Sequence, residues 1–157
     1  AEFLNAEYIY LNASLSCKFG FEEAVKEMIE KGVKDKLVSI IKEKKPTVII
    51  TFEPTNGFRS SCSHRVASTI AVQAAKECGV KHVYYLLNRD PFLAKILNCK
   101  MDPPPVTDVI ELNNRLWSYK MKIFEFYSSF YSKLEKIVSS KELQEKLLHK
   151  EFYRRAF

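Results

Sequence analysis

Hydrophobic positions along this chain follow two alternating rhythms. Val48, Ile49, Ile50, Thr51 and Phe52 form an unbroken β-branched and aromatic run opened by Pro46. That pattern predicts a strand over 47–52, buried on both faces of a parallel sheet. Glu7–Asn12 (EYIYLN) and Lys81–Leu87 (KHVYYLL) predict further strands near 8–12 and 82–87. Between them the spacing turns helical. Phe21, Ala24, Val25, Met28 and Ile29 share one face, then Val33, Leu37, Ile40 and Ile41 another, with Gly32 dividing two helices. Lys42–Lys45 place positive charge in the last turn, where the helix dipole favours it. Val66, Ala67, Ile70, Ala71, Ala74, Ala75 and Cys78 line a third helix, which opens at His64 and stops at Gly79.

Strands alternating with helices predict an α/β fold whose sheet is mainly parallel, joined by right-handed crossovers. Asn88–Pro91 reads as a turn, and Phe92–Leu97 as either a helical turn or an edge strand. The prolines of Asp102–Pro105 (DPPP) exclude a regular helix or central strand there. Val106–Leu112 predicts a last extended piece. Leu116, Tyr119, Ile123, Tyr127, Phe130, Leu134 and Ile137 then mark one stripe of a long C-terminal amphipathic helix. Ser139 with Glu142 resembles a capping box opening a short final helix that carries Leu143, Leu147 and Leu148. The aromatic stripe is read as core, because a base-stacking platform needs exposed rings.

Composition narrows the class. A chain of 157 residues, 46% hydrophobic and 28% charged, predicts one domain with a substantial core. No window reaches the ~20 apolar residues of a membrane span, and AEFLNAEYIY is not a secretory leader. Four separated cysteines, Cys17, Cys62, Cys78 and Cys99, contain no Cys-x-x-Cys pair. They predict reduced thiols and a cytoplasmic protein. Cys62 and His64 are open to two readings, a soft metal pair or helix-entry packing. The net charge is +6, and residues 113–157 carry ten Lys or Arg against five Glu, a local +5. Such a tail either attracts nucleic acid or simply solvates a helix face, and the solvated face is the preferred reading.

Candidate chemistry gathers where the central strand ends. A loop leaving the carboxyl end of a parallel strand and feeding a helix is where open α/β sheets bind ligands. Glu53–Ser63 (EPTNGFRSSCS) is such a loop, and His64 follows it. At a helix start the dipole disfavours imidazolium, which suits a metal ligand, but taken alone a histidine there is more often a hydrogen-bonded bystander. Glu53 is either a catalytic carboxylate or a loop residue making local bonds. His82 opens a strand, and His149 falls in the basic C-terminal helix. No phosphate-binding Gly-x-x-x-x-Gly-Lys loop or nucleophile elbow is present.

The run VIITFEPTNGFRSSCSHRVASTIAVQAA resembles the second signature of the PIG-L/LmbE family of metal-dependent N-acetylglucosaminyl deacetylases. There a strand ending Thr-Phe-Asp-Pro leads to Gly-His-Pro-Asp-His at the start of an Ala-rich helix. The resemblance implies a Rossmann-like three-layer fold, zinc as cofactor and an N-acetyl amino sugar as substrate. It implies His64 as a metal ligand, Glu53 and Ser61 as catalytic positions, and Asn56 and Arg59 as substrate contacts. Ser61, Cys62 and Ser63 stand where the family has His-Pro-Asp, and the family's His-Pro-Asp-Asp motif is absent from these residues. Ala1 is not an initiating methionine, and the family's first βα unit is expected ahead of it. Three functions follow: a deacetylase-like hydrolase, a degenerate ligand-binding or scaffold protein, and, as the weakest, a nucleic-acid-associated protein. Self-association is left open.

Overall fold

The computed structural model describes residues 6–56, 61–89, 94, 95, 98, 100–103, 105–128, 139–141 and 149–157. Helices α1 (Phe21–Glu30) and α2 (Val33–Lys44) meet at Gly32, whose φ of 70° is the left-handed conformation that glycine adopts without strain. Strand β1 (Val48–Phe52), helix α3 (Cys62–Glu77) and strand β2 (His82–Leu87) follow. Then come β3 (Asp108–Glu111), α4 (Asn114–Ser128) and β4 (Lys150–Arg155). All four strands form one sheet in the order β1-β2-β4-β3.

Residues alternate between the sheet's faces, so register decides what is buried. β1 pairs with β2 in parallel, Ile49 opposite Val83, and α3 makes the crossover. Ile49 packs on the cluster of Val38, Ile41 and Ala74, which seats α2 and α3 on that face. A second cluster, Ala24, Met28, Val33, Val66 and Ile70, joins α1 to α2 and α3.

Several expectations are corrected. The sheet is mixed, because β4 pairs antiparallel with both β2 and β3 and, among the described strands, only β1–β2 is parallel. β4 (KEFYRR) has just two apolar residues between charged ends, so its local pattern does not announce a strand. His149 accordingly precedes a strand, and its ring stacks on Trp117 at 5.2 Å. β1 is an edge strand and not buried on both faces: Val48 is 46% and Ile50 56% exposed. Residues 8–12 form no strand. This segment buries Leu11, Ala13, Leu15 and Cys17 in part against the helices, while its alternate residues face outward. The long C-terminal helix is described only to Ser128. Its continuation over 129–138 and the final helix over 142–148 lie outside the described residues. Phe92–Leu97 is likewise described only at Ala94 and Lys95.

The cysteine expectation is corrected as well. Cys17 and Cys62 form a disulfide across 45 residues, a pairing set by tertiary approach and invisible in local spacing, while Cys78 is a free thiol. In the chain-entropy account, closing such a loop stabilises the fold by about 4 kcal/mol. Urea unfolding with and without reductant is expected to show a loss of that order, and Cys17→Ser/Cys62→Ser to reproduce it. Coincident curves would contradict the assignment.

Candidate functional site

The carboxyl ends of β1 and β2 converge on a group of polar side chains. Glu53, the residue after β1, is only 1% exposed. Its Oε2 accepts the backbone N–H groups of Thr55 and Asn56, at 2.8 and 2.7 Å, which folds EPTN into a tight turn. Its Oε1 accepts from Nη2 of Arg154 at 2.6 Å. Arg154 also donates Nη1 to the Pro103 carbonyl and lies 5.3 Å over the Tyr85 ring. Both carboxylate oxygens are therefore engaged, which suits an anchor of the loop. Proton transfer by Glu53 would require surrendering one of these bonds.

The start of α3 is clamped to the same strand end. The Ser68 hydroxyl donates to the Phe52 carbonyl, and Arg65 Nε donates to the Pro54 carbonyl at 2.9 Å. The Arg65 guanidinium sits 4.3 Å from the centroid of the Phe21 ring. His64, in the first turn of α3, stacks on Phe52 with ring centroids 4.1 Å apart. Ser61 is the N-cap, yet its hydroxyl bonds to that of Ser63 at 2.8 Å and makes no capping bond. Cys62 between them is held in the disulfide. That bond removes it as a thiolate partner for His64.

A second loop closes the far side. Asn56 Nδ2 donates to the Met101 carbonyl at 2.9 Å, joining the β1 loop to the Pro-rich segment. Asp102 is 3% exposed. Its Oδ2 accepts from the Asn88 N–H and its carbonyl from Arg89, while its Oδ1 is buried with no hydrogen-bond partner among the described residues. Burial is the main cause that pushes its carboxyl from 3.8 up to about 6, opposed by the Asn88 bond and reinforced by Glu53.

Of the residues predicted for the site, Glu53 and Asn56 meet in one turn, and Ser61 and His64 share the start of α3. Arg59 lies outside the described residues. Sequence reasoning missed Arg154, Asp102, Asn88 and Arg89. Arg154 is 101 residues from Glu53, and no local pattern links them. The DPPP run marked a turn around Asp102 without marking its burial.

A catalytic zinc takes three protein ligands and keeps one position open. Among the described residues no group of three His, Cys, Asp or Glu side chains is placed to hold a metal. Glu53 is saturated and Cys62 oxidised, so these residues do not by themselves fit a catalytic zinc. No protein-family model and no curated protein matches the chain. No helix among the described residues is long and apolar enough to cross a membrane.

Two predictions follow from the geometry. Glu53→Gln leaves Arg154 buried without its counter-charge and is expected to cost about 3 kcal/mol in urea unfolding. Glu53→Gln/Arg154→Met should cost less than the two single changes added together, and strict additivity would rule out the pairing. For Asp102, the folded state raises the pKa, so its contribution to stability is complete below 3.8 and lost as pH rises through about 6. Relative to the wild type, Asp102→Asn should therefore gain stability between about pH 4 and about pH 7.5. A pH-independent gap between the two proteins would contradict the burial of that carboxyl.

Proposed function

We propose that the chain is a deacetylase-like hydrolase of the PIG-L/LmbE type, acting on N-acetyl amino sugars at the loop that leaves β1. The observation carrying this reading is the run β1, clamped turn, α3. A strand parallel to its neighbour ends in TFEP, and His64 stands in the first turn of the following helix, stacked on Phe52. On this reading the fold is a Rossmann-like variant. Asn56 and Arg59 contact the sugar, Ser61 offers a hydroxyl toward the scissile amide, and His64 is this chain's ligand to zinc. Glu53 holds the loop in place. No catalytic step is assigned to the metal, because the described residues supply too few ligands for it. A cytoplasmic location belongs to the same reading, and the Cys17–Cys62 disulfide weighs against it.

A second reading, a ligand-binding relative without turnover, is favoured by one observation. Where the family has His-Pro-Asp, this chain has two serines bonded to each other around an oxidised cysteine.

Zinc content and acetate release from N-acetylglucosamine compounds separate the two. With zinc supplied, the hydrolase reading expects both, the remaining ligands coming from outside the described residues, and expects His64→Ala to lose both with little change in unfolding. Ser61→His/Ser63→Asp should raise the rate, since one oxyanion donor is typically worth about 10²–10³-fold. Sugar binding without acetate release would transfer the conclusion to the second reading. Activity unchanged in His64→Ala would remove His64 from either.

A further inference from the structure

The end of the sheet opposite the strand-end site carries a second group of side chains, set on the two turns that lead into β1 and β2. Val48 and His82 open those strands side by side. α2 reaches β1 through Lys45, Pro46 and Thr47, and α3 reaches β2 through Cys78, Gly79, Val80 and Lys81. A cleft of about 580 Å³ lies between the two turns, within the size range of small-molecule sites. Ile41, Pro46 and Val80 give it an apolar wall, and Lys42, Lys45 and Lys81 line it with charge, the His82 ring beside them. Among the described residues no aspartate or glutamate lines it.

Ordinary structural needs leave most of this charge unexplained. Lys42 lies in the last turn of α2, where the helix dipole favours a cation. The end of α3 is closed by its own backbone, because Cys78, Gly79 and Val80 donate N–H groups to the carbonyls of Ala74, Lys76 and Ala75. Lys81 therefore has no capping work to do there. Among the described residues none of the three lysines forms an ion pair, and the acidic neighbours are taken. Glu77 pairs with Lys34 at 2.8 Å and Glu43 with Lys44 at 3.3 Å. Lys42 acts on Glu77 across space without pairing to it. Lys45 is the most telling of the set. It caps α2 at φ 47° and ψ 53°, the left-handed region where helices usually turn on glycine. α3 uses Gly79 at φ 68° for that purpose. A side chain held in that conformation costs stability, and residues kept there despite the cost cluster at ligand sites.

We propose that this cleft binds a small organic phosphate, with its phosphoryl group among Lys42, Lys45 and Lys81 and its carbon body over Ile41, Pro46 and Val80. Three unpaired ammonium groups around one cleft repel one another and raise a positive potential in it. A phosphoryl group carrying about −1.5 to −2 charge relieves that repulsion. Each lysine offers N–H donors to phosphate oxygens, and the His82 ring can add another. The apolar wall favours an ester with an organic body over inorganic phosphate. Such a phosphoryl group can come from a soluble ester or from a lipid headgroup, and the test separates the two. The inference is independent of the hydrolase reading, because the cleft lies at the opposite end of β1 from His64.

The test titrates metal-free adenosine triphosphate into the isotope-labelled full chain and follows the backbone amide signals. Inorganic triphosphate, and vesicles of phosphatidylcholine containing phosphatidic acid, are titrated in parallel. Amides within 41–47 and 78–82 should shift together and saturate, at lower concentration with the nucleotide than with inorganic triphosphate. Lys45→Gln/Lys81→Gln should weaken that binding about tenfold or more, since it removes two charge-assisted contacts. Lys18→Gln/Lys36→Gln removes the same charge outside the cleft and should leave the affinity nearly unchanged. Lys45→Gly should bind more weakly yet unfold at an equal or higher urea concentration, which excludes loss of folding as the cause. A response to the phosphatidic acid vesicles alone would assign the phosphoryl group to a lipid headgroup. No saturable response to any of the three, or saturation at amides outside the cleft, would overturn the proposal. So would an affinity that falls equally in the cleft and control pairs.

Discussion

The ion pair between Glu53 and Arg154 connects the parallel half of this sheet to the antiparallel half. Glu53 directly follows β1, Arg154 belongs to β4, and β2 lies between the two strands. Burying a carboxylate and a guanidinium is costly unless each finds further partners. Both do. The carboxylate takes two loop amides, and the guanidinium takes the Pro103 carbonyl and the face of Tyr85. One contact thereby fixes the turn at Thr55–Asn56, the approach of the Pro-rich segment and the position of β4. It also turns one of the charges of the basic C-terminal stretch inward, away from any external partner.

The described ends of the strand-end loop are thus held at several points. α3 is tied to β1 by Ser68, to the turn by Arg65 and to the N-terminal segment by the disulfide. Those ties hold His64 flat against Phe52. The arrangement suits positioning a ligand next to an imidazole. Among the described residues it brings no second or third metal ligand alongside, so the proposed hydrolase rests on the order of elements and not on a completed metal centre.

Much of the local structure was legible because it rests on local chemistry. The apolar spacing of α1, α2 and α3, the break at Gly32 and the β-branched runs of β1 and β2 each announce themselves within a few residues. The junction of β1, loop and His64 was legible for the same reason. What escaped depends on contacts distant in sequence. β4 is a strand because β2 and β3 flank it, not because KEFYRR insists on being one. β1 reads as a central strand by composition, yet in this sheet it lies at the edge. The partner of Glu53, the partner of Cys17 and the burial of Asp102 arise only once remote segments meet.

The anchoring role of Glu53 is the claim on which the account of the site rests, and the Arg154 guanidinium reports on it directly. Nitrogen-edited NMR of the folded protein, with only arginine side chains labelled, resolves whether those protons are held. The account predicts separate Nη proton signals for Arg154 that exchange slowly with water and show contacts to the Tyr85 ring. A single averaged signal in rapid exchange with solvent would mean that no fixed pair joins β1 to β4, and the account of the loop would fail with it.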